Sequence, residues 1–145
     1  MILLDIDYFK KVNDTFGHAV GDTVLKKLTR QIAHSFQRET DWCARLGGEE
    51  FVIVLEGTNL ENARMGAEKL RMRIANTPIE TSAGPVSVTV SMGISGIGDS
   101  ADLKSTSVEG LLEAADSNLY VSKAAGRNCI TWGARSVPAL ALGNG

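Results

Sequence analysis

Arg45-Leu46-Gly47-Gly48-Glu49-Glu50-Phe51 brings two glycines and two carboxylates together just before the apolar run Val52-Ile53-Val54-Leu55. Glycine lets a backbone turn sharply and lets a ligand approach it closely, while adjacent carboxylates repel each other unless a cation or proton lies between them. These properties suit a metal and phosphate site at a hairpin tip. Taken alone, the segment reads as a Gly-Gly turn with solvated acids. A second acidic segment changes that balance: Asp5-Ile6-Asp7 ends the apolar N-terminal run and leads into Tyr8-Phe9-Lys10-Lys11-Val12-Asn13-Asp14. A strand-end Asp5 facing a hairpin Glu supplies the hard oxygen ligands that a two-magnesium site needs, with phosphate oxygens and water completing the shell. A short helix opening after Asp7 would offer its free N–H groups to phosphate oxygens, and Lys10 would add a cation.

Other candidate residues have ordinary readings when taken singly. Asn13 is a turn residue, Asp22 a helix-start acid and Leu25, one turn further on, a core side chain. Lys123 and Arg127 lie four apart, which places them on one helix face, where cations near a C-terminus also suit the dipole. Arg38-Glu39-Thr40-Asp41, with five residues between it and Gly47, is an R-x-x-D pattern that an exposed loop ion pair would also produce. Cys43 and Cys129 lack metal-ligand spacing and read as reduced thiols, and His18 and His34 have no partner pattern: the first belongs to a turn, the second to a helix surface.

The elements that must position these residues follow from periodicity. Met1–Ile6 is a buried strand delivering Asp5 and Asp7 at its end. Val24, Leu25, Leu28, Ile32, Ala33 and Phe36 mark a long helix from Val20 to Phe36, with Asp22 near its start. Trp42–Leu46 and Phe51–Leu55 are strands joined through Gly47 and Gly48. Thr58 or Asn59 caps a helix reaching Asn76, with Ala63, Ala67, Leu70 and Ile74 inward. Ile79–Thr81 and the alternating Val86–Met92 form a further hairpin turned by Gly84-Pro85. Ser107 caps a last helix, Val108–Ala125, with Leu111, Leu112, Ala115, Leu119 and Val121 as apolar contacts and Gly126 as its stop, before a short strand Cys129–Trp132. The order β-α-β-β-α-β-β-α-β predicts an α/β (α+β) sandwich with a mainly antiparallel sheet and packed helices.

Composition is consistent with this: 145 residues, 43% hydrophobic, fit one domain with a single core. A net charge of −2 without a long basic run speaks against a nucleic-acid polymer as partner, but leaves small phosphorylated ligands open. Met1–Leu4 is too short for a signal peptide, so membrane contact by this segment is not expected and a cytoplasmic location is. The domain is expected over residues 1–132, with 133–145 as a disordered tail.

Together these segments resemble one family, the GGDEF domain of diguanylate cyclases, whose signature hairpin stands here in its GGEEF form. Asp5–Asp14, Phe16-Gly17-His18, Gly21-Asp22 and Lys123-Ala124-Ala125-Gly126-Arg127-Asn128 fall in the family's motif order. The resemblance implies a fold similar to the polymerase palm and the nucleotidyl-cyclase core, and condensation of two GTP to cyclic di-GMP with release of pyrophosphate. It implies that Asp5, the carbonyl of Ile6 and Glu50 hold Mg2+ or Mn2+, with Glu49 as further ligand or as base for the ribose 3′-hydroxyl. Gly47 and Gly48 would let nucleotide lie against the hairpin, Phe9 and Lys10 would brace and bind phosphate, and Lys123 and Arg127 would clamp the triphosphate. Asn13 and Asp22 match guanine-reading positions, and Leu25 one that packs near the base; a carboxylate accepts from guanine N–H groups, and adenine offers no equivalent N1 donor.

Arg38 and Asp41 match an inhibitory product site. Lys69 stands there where relatives often place an arginine, so inhibition is weaker or uses Arg73, because an ammonium lacks the planar fork. The family's usual upstream helical segment, with its D-x-L-T-G-L-x-N-R-R motif, does not precede the first strand. The resemblance therefore implies a longer parent protein with an upstream sensor or dimerisation domain, and a homodimer for turnover. A turnover-impaired module that binds GTP or cyclic di-GMP is the alternative function.

Overall fold

The computed structural model describes residues 1–97 and 107–133. The first strand, β1 (Ile2–Ile6), is buried along its whole length, and its alternate side chains enter two different cores. Ile2, Leu4 and Ile6 face a large core with α1 (Phe9–Phe16), α2 (His18–Ser35) and α3 (Leu60–Asn76). Leu3 faces a smaller one with Val52, Ala115 and Leu119, the last two on α4 (Val108–Ala124). A strand covered on both faces reads as a continuous apolar run, which is why Met1–Ile6 shows no alternation.

The hairpin strands β2 (Asp41–Gly47) and β3 (Glu50–Leu55) pair antiparallel, and β3 also pairs antiparallel with β1. The short β4 (Ile79–Thr81) and β5 (Gly84–Val86) form a two-stranded sheet of their own. With β6 (Val90–Ile94) and β7 (Ile130–Trp132), the main sheet has the order β2-β3-β1-β6-β7, and only the β6–β7 pair is parallel. The expected mainly antiparallel α/β sandwich is therefore what the chain adopts.

Four local expectations are corrected. Gly84-Pro85 lies in β5 rather than in the turn, which falls at Ser82-Ala83, and the chain leaves strand geometry between β5 and β6. The alternation of Val86–Met92 thus spans two elements, since β6 is buried on both faces and its own pattern is continuous. On α4, Leu112 and Val121 are exposed. The face pressed on the sheet carries the expected Ala115 and Leu119 together with Asn118 and Ser122, because Asn118 Nδ2 donates to Ile94 O at 2.8 Å and Ser122 Oγ to Met92 O at 2.7 Å. Ala33 of α2 is exposed as well. Asn59, not Thr58, caps α3 through a 2.8 Å bond from Asn62 N, and Ser107 caps α4 by accepting from Gly110 N at 3.0 Å. The expected tail lies outside the described residues beyond 133.

Candidate functional site

The site forms where β1 ends beside the β2–β3 hairpin. Antiparallel register sets Asp5 opposite Glu50, and Ile6 N donates to Glu49 O at 3.2 Å, so the strand end and the hairpin tip are joined through the backbone. Gly47 pairs with Glu50 across a two-residue turn in which Gly48 has φ 52°, a left-handed conformation that glycine adopts without strain. Arg45 Nε donates to Gly48 O at 2.8 Å and fixes the turn from within. Sequence reasoning gave Arg45 no role; its i,i+3 spacing to Gly48 was the available signal.

Asp5 is buried and accepts from Lys123 Nζ at 2.8 Å. Burial pushes the Asp5 carboxyl up, the Lys123 ammonium opposes that shift, and the charges of Glu49 and Glu50 add to it. Two neighbouring carboxylates therefore act on Asp5, and a lysine from α4 counters them. Among the described residues no three acidic, histidine or cysteine side chains converge as a ready metal cage. The donors are nonetheless all hard oxygens, and the repulsion that Glu49 and Glu50 exert on Asp5 is the kind a divalent cation relieves.

Lys123 and Arg127 do not share a helix face. α4 ends at Ala124; Gly126 follows at φ 110°, and Arg127 and Asn128 both have positive φ. The turn directs Arg127 back over β1's exit, where its guanidinium lies 4.6 Å from the centroid of the Tyr8 ring. Tyr8 is itself left-handed, at φ 54°, as the N-cap of α1. The break comes with Gly126, whose conformation follows a helix that stops at Ala124, one residue before its expected end and three before Arg127.

Asp7, left without a role by the sequence, ties this region together. Its buried carboxyl accepts from Thr89 Oγ1 at 2.7 Å, Ser91 Oγ at 2.6 Å and Asn128 N at 3.0 Å. The end of β1, the start of β6 and the turn carrying Arg127 thus meet on one side chain. The alternation Thr89–Ser91 was the signal that hydroxyls line this edge.

Phe9 is buried at the start of α1 and belongs to the large core, as does Leu25; Lys10 is exposed beside Phe9. Asn13 lies on α1 against α2, and its Oδ1 is buried with no hydrogen-bond partner among the described residues. Asp22 is exposed on α2, which begins at His18, so it lies beyond the first turn and is not a helix-start acid. His18 is accordingly the first helical residue rather than part of a turn.

Arg38 and Asp41 sit at the opposite end of the β2–β3 ribbon from the turn, since Asp41 pairs with Leu55 while Gly47 pairs with Glu50. At roughly 3.3 Å per residue the two ends are about 20 Å apart. Arg38 Nε and Nη2 donate to Asp41 Oδ1 at 3.1 and 2.9 Å, and Nη2 also reaches Glu56 O and Thr58 Oγ1, each at 2.6 Å. This guanidinium holds the Asp41 carboxyl below the usual carboxylate range. Lys69 is exposed on α3, and Arg73 Nη1 donates to Ser35 Oγ at 3.1 Å. Among the described residues no helix is long and apolar enough to cross a membrane.

Residues 1–129 match the family described as diguanylate cyclase, GGDEF domain. The chain is 40% identical over 131 residues to response regulator PleD of Caulobacter vibrioides, covering 89% of this chain and 28% of that protein. It is 43% identical over 129 residues to diguanylate cyclase DgcP of Pseudomonas aeruginosa, covering 88% of this chain and 18% of that one. Among solved structures, the active GGEEF domain of a diguanylate cyclase from Vibrio cholerae superimposes with a TM-score of 0.80 at 34% identity, over 90% of this chain and 80% of that one. The GGDEF domain of DgcB from Caulobacter crescentus in complex with c-di-GMP gives a TM-score of 0.81 at 30% identity, over 90% and 75%. The chain thus spans less than a third of the length of these two curated relatives, 28% and 18%. With the family match running over residues 1–129 and the hairpin, strand end and lysine arranged as above, the chain belongs to the GGDEF family of diguanylate cyclase domains.

Proposed function

We propose that the chain is the catalytic domain of a diguanylate cyclase, condensing two GTP into cyclic di-GMP and releasing two pyrophosphates. The observation that carries this reading is the register of Asp5 against Glu50, with Lys123 on Asp5. It supports a site in which Asp5, Glu50 and the carbonyl of Ile6, assisted by Glu49, hold Mg2+. The metal would neutralise charge building on the phosphates and favour ionisation of the attacking hydroxyl. Lys123 and Arg127 bind triphosphate oxygens, Lys123 turning from Asp5 to phosphate and Arg127 leaving its place over Tyr8. Phe9 and Lys10 support the same phosphates, and Gly47 and Gly48 leave room for nucleotide on the hairpin. Asn13 and Asp22 read guanine, with Leu25 beneath the base, and Glu49 takes the proton of the ribose 3′-hydroxyl.

Each domain holds one GTP, so turnover joins two domains in a homodimer, within a longer cytoplasmic protein whose other segments control that encounter. Arg38 and Asp41, with Lys69 or Arg73, form the product site. Cyclic di-GMP there would replace the bonds that Arg38 now makes to Asp41, Glu56 and Thr58. The test is incubation with GTP and magnesium, followed by chromatographic separation of the nucleotides. Cyclic di-GMP supports the cyclase; GTP that stays intact at high protein concentration refutes it.

A further inference from the structure

Gly21 sits inside α2 with ordinary helical geometry, so no turn requires it there, and a glycine inside a helix is unfavourable relative to alanine. The reason lies on the neighbouring helix. A Cβ at position 21 would fall 1.8 Å from Asn13 Oδ1 and 3.0 Å from Asn13 Cγ, with Phe9 Cζ next at 3.3 Å. The missing methyl is the space that the Asn13 amide occupies, and Asn13 Oδ1 lies buried in it with no hydrogen-bond partner among the described residues. A buried amide oxygen left unpaired has a cost that packing alone does not explain. Asp22, the adjacent residue, is exposed.

We propose that Gly21 is a positioning residue for base selectivity: its bare backbone sets the rotamer of Asn13, and through Asn13 the preference for guanine over adenine. The inference rests on the guanine-binding reading above and adds to it the group that aims the side chain. The clash at position 21 falls on the far end of a side chain rather than on backbone. Gly21→Ala therefore expels the amide while leaving the helix pair assembled, and the alanine favours the helix.

Calorimetry with GTP and with ATP, in the presence of magnesium and alongside thermal melts, tests this on the whole chain. Gly21→Ala is expected to melt at or above the parent's temperature, yet to bind GTP about tenfold more weakly, the size of one lost hydrogen bond, with ATP binding unchanged. Combining it with Asn13→Ala should add nothing to the loss caused by Asn13→Ala alone, because the methyl then has no amide to displace. Parental GTP affinity in Gly21→Ala, or additive losses in the double variant, overturns the proposal. If Gly21→Ala fails to fold, a double variant that folds supports the stated clash, and one that also fails overturns it. A parent that binds GTP no better than ATP refutes the guanine reading itself, and is told apart from failure of this inference by needing no variant.

Discussion

Lys123 is the residue whose partner most constrains the chemistry. It holds Asp5 at 2.8 Å, so the carboxyl expected to bind a cation already has a monovalent one. On the proposed reading, Glu50, paired in register with Asp5, is the further carboxylate that would complete the shell of a divalent ion. Glu50→Gln keeps the shape and removes the charge. Turnover is expected to fall more than about 100-fold, since disturbing even the outer partners of metal ligands costs about 10–100-fold. Near-parental cyclic di-GMP synthesis by a folded Glu50→Gln protein would sink the metal assignment. Asp7 behaves differently, because three donors converge on it. The hydroxyls of Thr89 and Ser91 can rotate to meet a new partner, but the Asn128 N–H cannot. Asp7→Asn is expected to lower stability by about 1.5–3 kcal/mol, read from denaturant unfolding of the two proteins. Of these side chains, Asp5 and Glu50 were legible in the sequence through residue type and motif. The Lys123–Asp5 pair and the role of Asp7 were not, since each joins positions more than eighty residues apart, and only the fold brings them together.

Among the elements, α4 shows why periodicity reads some helices and misreads others. α2 and α3 bury apolar residues at helical spacing, and their inward positions were legible apart from Ala33 of α2, which is exposed. α4 buries Asn118 and Ser122 because carbonyls of β6 accept from them, so its inner face is half polar, and an apolar count that finds Ala115 and Leu119 also takes in the exposed Leu112 and Val121. The contact is close enough that a Cβ on Gly93 of β6 would stand 2.1 Å from Ala115 O and 2.2 Å from Leu119 N, both backbone atoms. Gly93→Ala must therefore push helix from sheet and disturb both hydrogen bonds. A loss of about 3 kcal/mol is expected, at the upper end for overpacking, and a melting temperature equal to the parent's would show that α4 has room to move. The loop before β2 has a pH signature of its own. Arg38 lowers the Asp41 pKa through hydrogen bonds, so this carboxylate contributes stability above the usual aspartate value of about 3.9. That contribution is lost as pH falls through its lower folded value. The melting-temperature gap between parent and Asp41→Asn is expected at neutral pH and should narrow as pH falls below the usual aspartate value; a gap that stays constant through that fall would mean that charge is not its source.

At the scale of the whole molecule, the described residues bring one hairpin, one strand end and one lysine together, which on the proposed reading serve one triphosphate. A cyclic product made from two identical halves has two equivalent bonds to form, and a two-fold pair of domains places each 3′-hydroxyl before the other's phosphate. The proposed reaction is therefore second order in domains at low concentration. Diluting the chain should lower the rate per chain in proportion to concentration, until association saturates and the rate per chain becomes constant. Fusion to a dimerising segment should remove the dependence by raising the effective concentration to the millimolar range, on the order set by a short linker. GTP binding, a property of one domain, should not change across the same dilution series. Measuring both on one set of samples separates assembly from ligand capture: a rate per chain that stays constant while sedimentation shows monomers would mean that a single domain closes both bonds, and the two-domain reaction would have to be given up.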